Sequence, residues 1–131
     1  MWKILVVEDD FVNRKLVIEI LREKARCDVA VNGTEALQLY EYSIKTNNRY
    51  DAILLDIAMP GVDGLTVLKK IRQAEKEAGV LLGDGIPIIM VTAYKEQFLN
   101  AFNQGCDDYV VKPIDASKLL AKLEEKIINR K

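Results

Sequence analysis

The sequence predicts an α/β fold: a single five-stranded parallel sheet, doubly wound, with five helices covering its two faces. Short apolar runs alternate strictly with stretches of helical periodicity, five of each, along 131 residues. The runs are also apolar without interruption, as in ILVV and AILL, which suits strands buried on both faces and does not suit a sheet with one wet side. Right-handed crossovers leave few topologies for such a chain. In all of them ligands collect beyond the carboxyl ends of the strands.

Ile4 to Val7, entered at Lys3, is the first strand, and it ends in acid: Glu8, Asp9 and Asp10. Val12, Leu16 and Ile20, with the adjacent Val17 and Leu21, predict a helix whose apolar stripe runs to about Lys24. Asp28 to Val31 alternates polar and apolar, as an edge strand would, and Asn32-Gly33 turns the chain. Ala36, Leu37, Tyr40 and Ile44 mark the second helix, which Thr46-Asn47-Asn48 ends. Ala52 to Leu55 is too short for a helix and wholly apolar, so it is a buried central strand closed by Asp56. An ionised carboxylate is costly inside a core, which places Asp56 at the strand's carboxyl end, open to solvent or to a cation. Pro60-Gly61 and Asp63-Gly64 are turn signals before Leu65, Leu68 and Ile71 resume at helical spacing. Asp10 and Asp63 suit helix N-caps.

Gly79 to Gly85, with three glycines, is a loop and the place where an insertion is best tolerated. Pro87 to Val91 is the next strand, ending at Thr92. Phe98, Ala101 and Phe102 place a short helix after it, stopped by Gly105. Tyr109 to Val111 is the last strand and ends at Lys112-Pro113. The final helix begins at Asp115 or Ser117 as N-cap and carries Leu119, Leu120, Leu123 and Ile127 on one face. With no repeat, low-complexity tract or linker, residues 1–131 read as one domain, long enough to bury roughly two thirds of the unfolded surface.

Composition excludes several function classes. Half of the residues are hydrophobic, the net charge is -1, and Lys and Arg are interspersed with acids, so there is no footprint for nucleic acid. Cys27 and Cys106 have no zinc spacing, histidine is absent, and both thiols read as buried in a reducing compartment. No apolar run approaches the ~20 residues of a membrane span, and the first strand leaves no room for a signal peptide. A cytoplasmic protein without membrane contact is expected.

The polar residues at the strand ends converge: Glu8 and Asp9 after the first strand, Asp56 after the third, Thr92 after the fourth, Lys112 after the fifth. Three carboxylates repel one another unless a cation holds them, and oxygen ligands without histidine or thiolate favour Mg²⁺. Bound Mg²⁺ takes phosphate as a further ligand, which makes phosphoryl transfer the natural chemistry. Lys112 then offers charge to phosphate oxygens, Thr92 offers a hydroxyl donor, and Asp56 is the nucleophile that becomes an aspartyl phosphate. Haloacid-dehalogenase-like phosphatases place an aspartate two positions past the nucleophile, where this chain has Ala58. The site therefore reads as one that accepts and holds a phosphoryl group, and not as a turnover enzyme.

These motifs resemble the receiver domains of two-component response regulators, of the chemotaxis-regulator type. The resemblance covers the whole chain: ILVVEDD at the start, LLDIAMPGVDGL in the centre, VTA at Val91 to Ala93, and DDYVVKP at Asp107 to Pro113. It implies the flavodoxin-like strand order 2-1-3-4-5. It further implies that Asp56 is the phosphoacceptor, that Asp9 binds Mg²⁺ directly and Glu8 through water, and that the backbone carbonyl of Ala58 is another ligand. Thr92 and Lys112 match the family's hydroxyl and lysine. Tyr109 matches its aromatic switch, which turns from an exposed to a buried position. Ala58 and Tyr94 occupy positions that tune the phosphoryl lifetime, and hydrolysis is expected to be slow. The implied phosphodonor is a sensor histidine kinase or phosphotransfer protein. Output passes to a downstream protein through the helix at Lys95 to Gln104, the last strand and the last helix. A monomer or a weak phosphorylation-dependent dimer is implied. Met1 and the polar end Asn129-Arg130-Lys131 favour a free-standing regulator over a domain of a longer one. Two other readings share the architecture: a flavodoxin-like cofactor binder, which would need a Ser/Thr/Gly-rich loop in place of Glu8-Asp9-Asp10, and a pseudo-receiver kept for protein binding alone.

Overall fold

A computed structural model describes residues 1–59, 61–81, 83–93 and 96–129. Tyr94 lies outside the described residues, as do Pro60, Lys95, Arg130 and Lys131. The elements follow in the order β1 (Trp2–Val7), α1 (Phe11–Leu21), β2 (Ala25–Ala30), α2 (Gly33–Lys45), β3 (Ala52–Asp56), α3 (Gly64–Glu77), β4 (Ile88–Thr92), α4 (Gln97–Asn103), β5 (Asp108–Val111) and α5 (Ala116–Asn129). All strand pairs are parallel, in the order β2-β1-β3-β4-β5. The order implied by the resemblance is the one observed.

Alternate residues of each strand point to opposite faces, and each face has its own core. Leu5, Val7, Ile53, Leu55, Ile88 and Met90 pack with α2, α3 and α4 residues such as Ala36, Leu68, Ile71 and Ala101. Ile4, Val6, Ala52, Leu54, Ile89 and Val91 pack with Val17, Leu21, Leu119, Leu123 and Ile127 of α1 and α5. Every residue of β3 and β4 is buried. That explains why their sequences run apolar without alternation.

Several boundaries and packing faces differ from expectation. β2 begins three residues earlier than the alternating run and ends at Ala30; its exposed Arg26 and Asp28 mark it as an edge strand. β4 starts at Ile88, and Pro87, which has no N–H for the ladder, contributes its carbonyl to the Ile53 amide. In α1 the buried row is Val17 and Leu21, while Phe11, Val12 and Leu16 are 64%, 69% and 40% exposed. Adjacent i, i+4 rows lie only about 100° apart, so periodicity alone could not rank them. The same rotation leaves Ile44 of α2 exposed and buries Ser43, whose hydroxyl donates to the Tyr40 carbonyl at 2.6 Å. Phe102 of α4 is exposed as well. Cys106 is buried, but Cys27, on the edge strand, is only half-buried.

Caps set the starts of the helices. Asp10 accepts from the Asn13 amide, Asn32 from Glu35, Asp63 from Thr66 and Asp115 from Lys118. Asn32, read from the sequence as a turn residue, thus begins α2, and Asp115 rather than Ser117 begins α5. Gly105 ends α4 at φ 104°, a conformation that costs a side chain dearly.

Candidate functional site

β1, β3, β4 and β5 end side by side, and their last residues deliver the polar groups to one edge. Asp56 is the final residue of β3 and is buried, held in line by the register of Leu55 and Asp56 against Met90 and Val91. Its Oδ1 accepts the Ala58 amide at 3.3 Å. Gly64 makes the strand-to-helix joint possible: a Cβ there would stand 2.1 Å from the Asp56 carbonyl oxygen. Only glycine lets α3 start that close to the strand.

Glu8 follows β1, with its amide donating to the Ala30 carbonyl, and is buried. Asp9 beside it is exposed. One carboxylate oxygen from each of Glu8, Asp9 and Asp56 falls within 4.8 Å of the others. All three donors are hard oxygens, a set that fits Mg²⁺. Lys112, just past β5, places its Nζ 3.0 Å from Glu8 Oε1 and 3.4 Å from Asp56 Oδ2. Arg14 of α1 adds two contacts, its guanidinium donating to the carbonyls of Glu8 at 3.1 Å and Asp9 at 3.4 Å.

Electrostatics follow from this crowding. Burial pushes the Glu8 carboxyl up to about 7, the neighbouring Asp56 carboxylate adds to the rise, and Lys112 opposes it. Burial alone would lower the Lys112 ammonium. The hydrogen bond to Glu8 and the charge of Asp56 outweigh it and hold the group above its ordinary value. A lysine that stays charged while partly buried between two acids suits a site that must hold a multiply charged anion.

A family model described as "Response regulator receiver domain" matches residues 4–124. The chain belongs to that family. The receiver domain is 38% identical over 131 residues to hybrid signal transduction histidine kinase I of Dictyostelium discoideum, covering 95% of this chain and 7% of that protein. It is 39% identical over 125 residues to the transcriptional regulatory protein ResD of Bacillus subtilis (strain 168), covering 93% of this chain and 46% of that one. The chain thus spans less than half the length of either relative. Among solved structures, a CheY-like response regulator receiver domain protein from Methanospirillum hungatei JF-1 is 31% identical, with a TM-score of 0.80 and coverage of 99% and 96%. The receiver domain of sensor histidine kinase PA1611 from Pseudomonas aeruginosa PAO1, with a magnesium ion coordinated in its active site cleft, is 31% identical, with a TM-score of 0.79 and coverage of 96% and 97%. The chain is a receiver domain, the phosphoacceptor module of two-component signalling. No helix among the described residues is long and apolar enough to cross a membrane.

The site brings together Glu8, Asp9, Asp56 and Lys112. Asp10 and Asp63 stand apart as helix caps. Thr92 is buried at the end of β4, and its hydroxyl donates to Gln97 Oε1 at 2.6 Å. Tyr109 is half-buried and not exposed: its ring centroid lies 4.1 Å from that of Phe98, and Lys122 Nζ sits 4.6 Å above it and donates to its carbonyl at 2.6 Å. Sequence reasoning missed Arg14 and Gln97. A polar residue in the first turn of a helix carries no signal of what it faces, and both contacts depend on how the helices sit on the sheet.

Proposed function

We propose that this receiver domain takes a phosphoryl group from a histidine kinase or phosphotransfer protein onto Asp56 and uses it to remodel the surface of α4, β5 and α5. The observation that carries the reading is Lys112 bridging Glu8 and Asp56 beside Asp9, four charged groups gathered at the carboxyl edge of the sheet. Glu8, Asp9, Asp56 and the Ala58 carbonyl would hold Mg²⁺, which when bound neutralises the acids and ligates a phosphate oxygen. An Asp56 carboxylate oxygen forms the new bond to phosphorus. The donor's N–P bond breaks, and its electron pair stays on the imidazole nitrogen. Lys112 keeps its charge and pairs with a phosphoryl oxygen, while the Thr92 hydroxyl can donate to another.

Two further assignments belong to the same reading. Ala58 presents only a methyl group and so cannot activate an attacking water, which supports slow hydrolysis; Tyr94 is assigned to covering the site. The exposed Phe11, Val12 and Leu16 of α1 form an apolar strip next to Asp9, suited to receiving the apolar face of the donor's helix. Residues 1–131 act as one domain, whether free-standing or within a longer protein.

Acetyl phosphate with Mg²⁺ should add the mass of one phosphoryl group, stable in acid and labile in base. Asp56→Asn should abolish the adduct, and Asp9→Asn should weaken Mg²⁺ binding and slow its formation. Labelling of Asp56→Asn equal to wild type would refute the assignment.

A further inference from the structure

The first two residues of α4 hold Thr92 and Tyr109, the hydroxyl and the aromatic side chain that the resemblance ties to the response to phosphorylation. Gln97 accepts the Thr92 hydroxyl at 2.6 Å, and the Phe98 ring packs against Tyr109 with centroids 4.1 Å apart and planes inclined by 34°. Glu96, the N-cap residue of α4, makes no side-chain cap bond. A threonine hydroxyl carries one hydrogen. Donation to Gln97 and donation to a phosphoryl oxygen on Asp56 are therefore mutually exclusive.

We propose that Gln97 is a positioning residue of the phosphorylation switch, a latch that occupies the Thr92 hydroxyl and ties its release to the Phe98–Tyr109 contact. The inference rests on the reading of Asp56 and Thr92 given under Proposed function. Direction follows from the two acceptors. A hydrogen bond to a charged phosphoryl oxygen is roughly twice as strong as one to a neutral amide, so phosphorylation draws the hydroxyl away. The Gln97 carbonyl, half-buried, is left without that donor, and the first turn of α4 must shift to find another. Phe98 is the next residue, so the same shift withdraws the ring that packs on Tyr109. One hydrogen-bond exchange thus reaches the output surface through two consecutive side chains.

Beryllofluoride with Mg²⁺, titrated into the protein and followed by amide and aromatic NMR, tests this. Gln97→Met keeps length and removes the acceptor. It should raise apparent beryllofluoride affinity about fivefold, the equivalent of one neutral hydrogen bond, and shift the ligand-free Tyr109 ring signals toward their bound positions. Gln97→Glu keeps the acceptor and should leave those ligand-free signals at their wild-type positions. In a Thr92→Val background, Gln97→Met should change nothing further. An equal effect of Gln97→Met in both backgrounds, or none in either while wild type binds, overturns the latch alone. A wild-type protein that takes up neither beryllofluoride nor phosphate overturns the phosphoacceptor reading and the latch with it.

Discussion

Burial acts on single residues here in opposite directions, and the partner decides which. Glu8 and Lys112 share one partly buried pocket, yet the acid's pKa is pushed up to about 7 and the base is also held above its usual value, because each answers to Asp56 as well as to the other. At Cys106 the opposing charge, that of Arg72, is outweighed. Burial, followed by the charge of Asp107, pushes its thiol up to about 11, and burial raises Cys27 as well. The thiolate is the reactive form, so at pH 8 the native Cys106 should react about a hundredfold more slowly with an aromatic disulfide reagent than an unfolded cysteine. Release of both thiols within seconds from native protein would contradict the burial assigned to them. The clustered carboxylates were legible because a charge that ends an apolar run has few places to go. Gln97 was not legible, since nothing in QFLNAF says which way a glutamine faces.

At the scale of elements, a network anchored on Arg72 of α3 ties together loops at the end of the sheet opposite the site. Its guanidinium donates to Glu75 at 2.7 Å, Asp107 at 2.9 Å, and the carbonyls of Ile86 and Gly105 at 2.9 and 2.8 Å. Glu75 and Asp107 in turn accept the amides of Ile86 and Ile88 at 2.7 and 2.8 Å. Removing Arg72 would strand two acids, one of them buried, and leave two carbonyls short of a donor. Arg72→Met should therefore cost about 3 kcal/mol, the lower end for a broken buried pair because Asp107 is a third exposed. Urea unfolding reads this as a lower midpoint, while acetyl phosphate labelling of Asp56 should keep its wild-type rate. A loss under about 1 kcal/mol would mean the acids are solvated well enough without the arginine. Strand identities were plain from AILL and IIMV, whereas the Arg72 network was invisible, since its members lie up to 35 residues apart and two of them meet the arginine only through backbone carbonyls. Helix faces were half legible: the apolar rows of α1 were all seen, but the row that packs is the one the sheet selects.

For the whole molecule, donor and acceptor must meet face to face, and the strip proposed for that meeting is the exposed Phe11, Val12 and Leu16 of α1. Val12→Asp with Leu16→Asp should cut transfer from any phosphohistidine protein that labels the wild type by at least about tenfold. Each buried aliphatic side chain is worth roughly 1.5–3 kcal/mol at an interface core. Acetyl phosphate needs no docking and should label the double variant at the normal rate; equal losses with both donors would mean the change distorts the pocket instead. The strand order itself could be taken only from resemblance, because alternating elements fix the layers and not the sequence of neighbours. That order has a consequence for synthesis. β1 lies between β2 and β3, so this strand, once it has left the ribosome, cannot be covered on both sides until residues 52–56 have followed it. Throughout that wait ILVV stands with at least one unpaired apolar edge, and this interval is when the nascent chain is most exposed to aggregation or to capture by a chaperone.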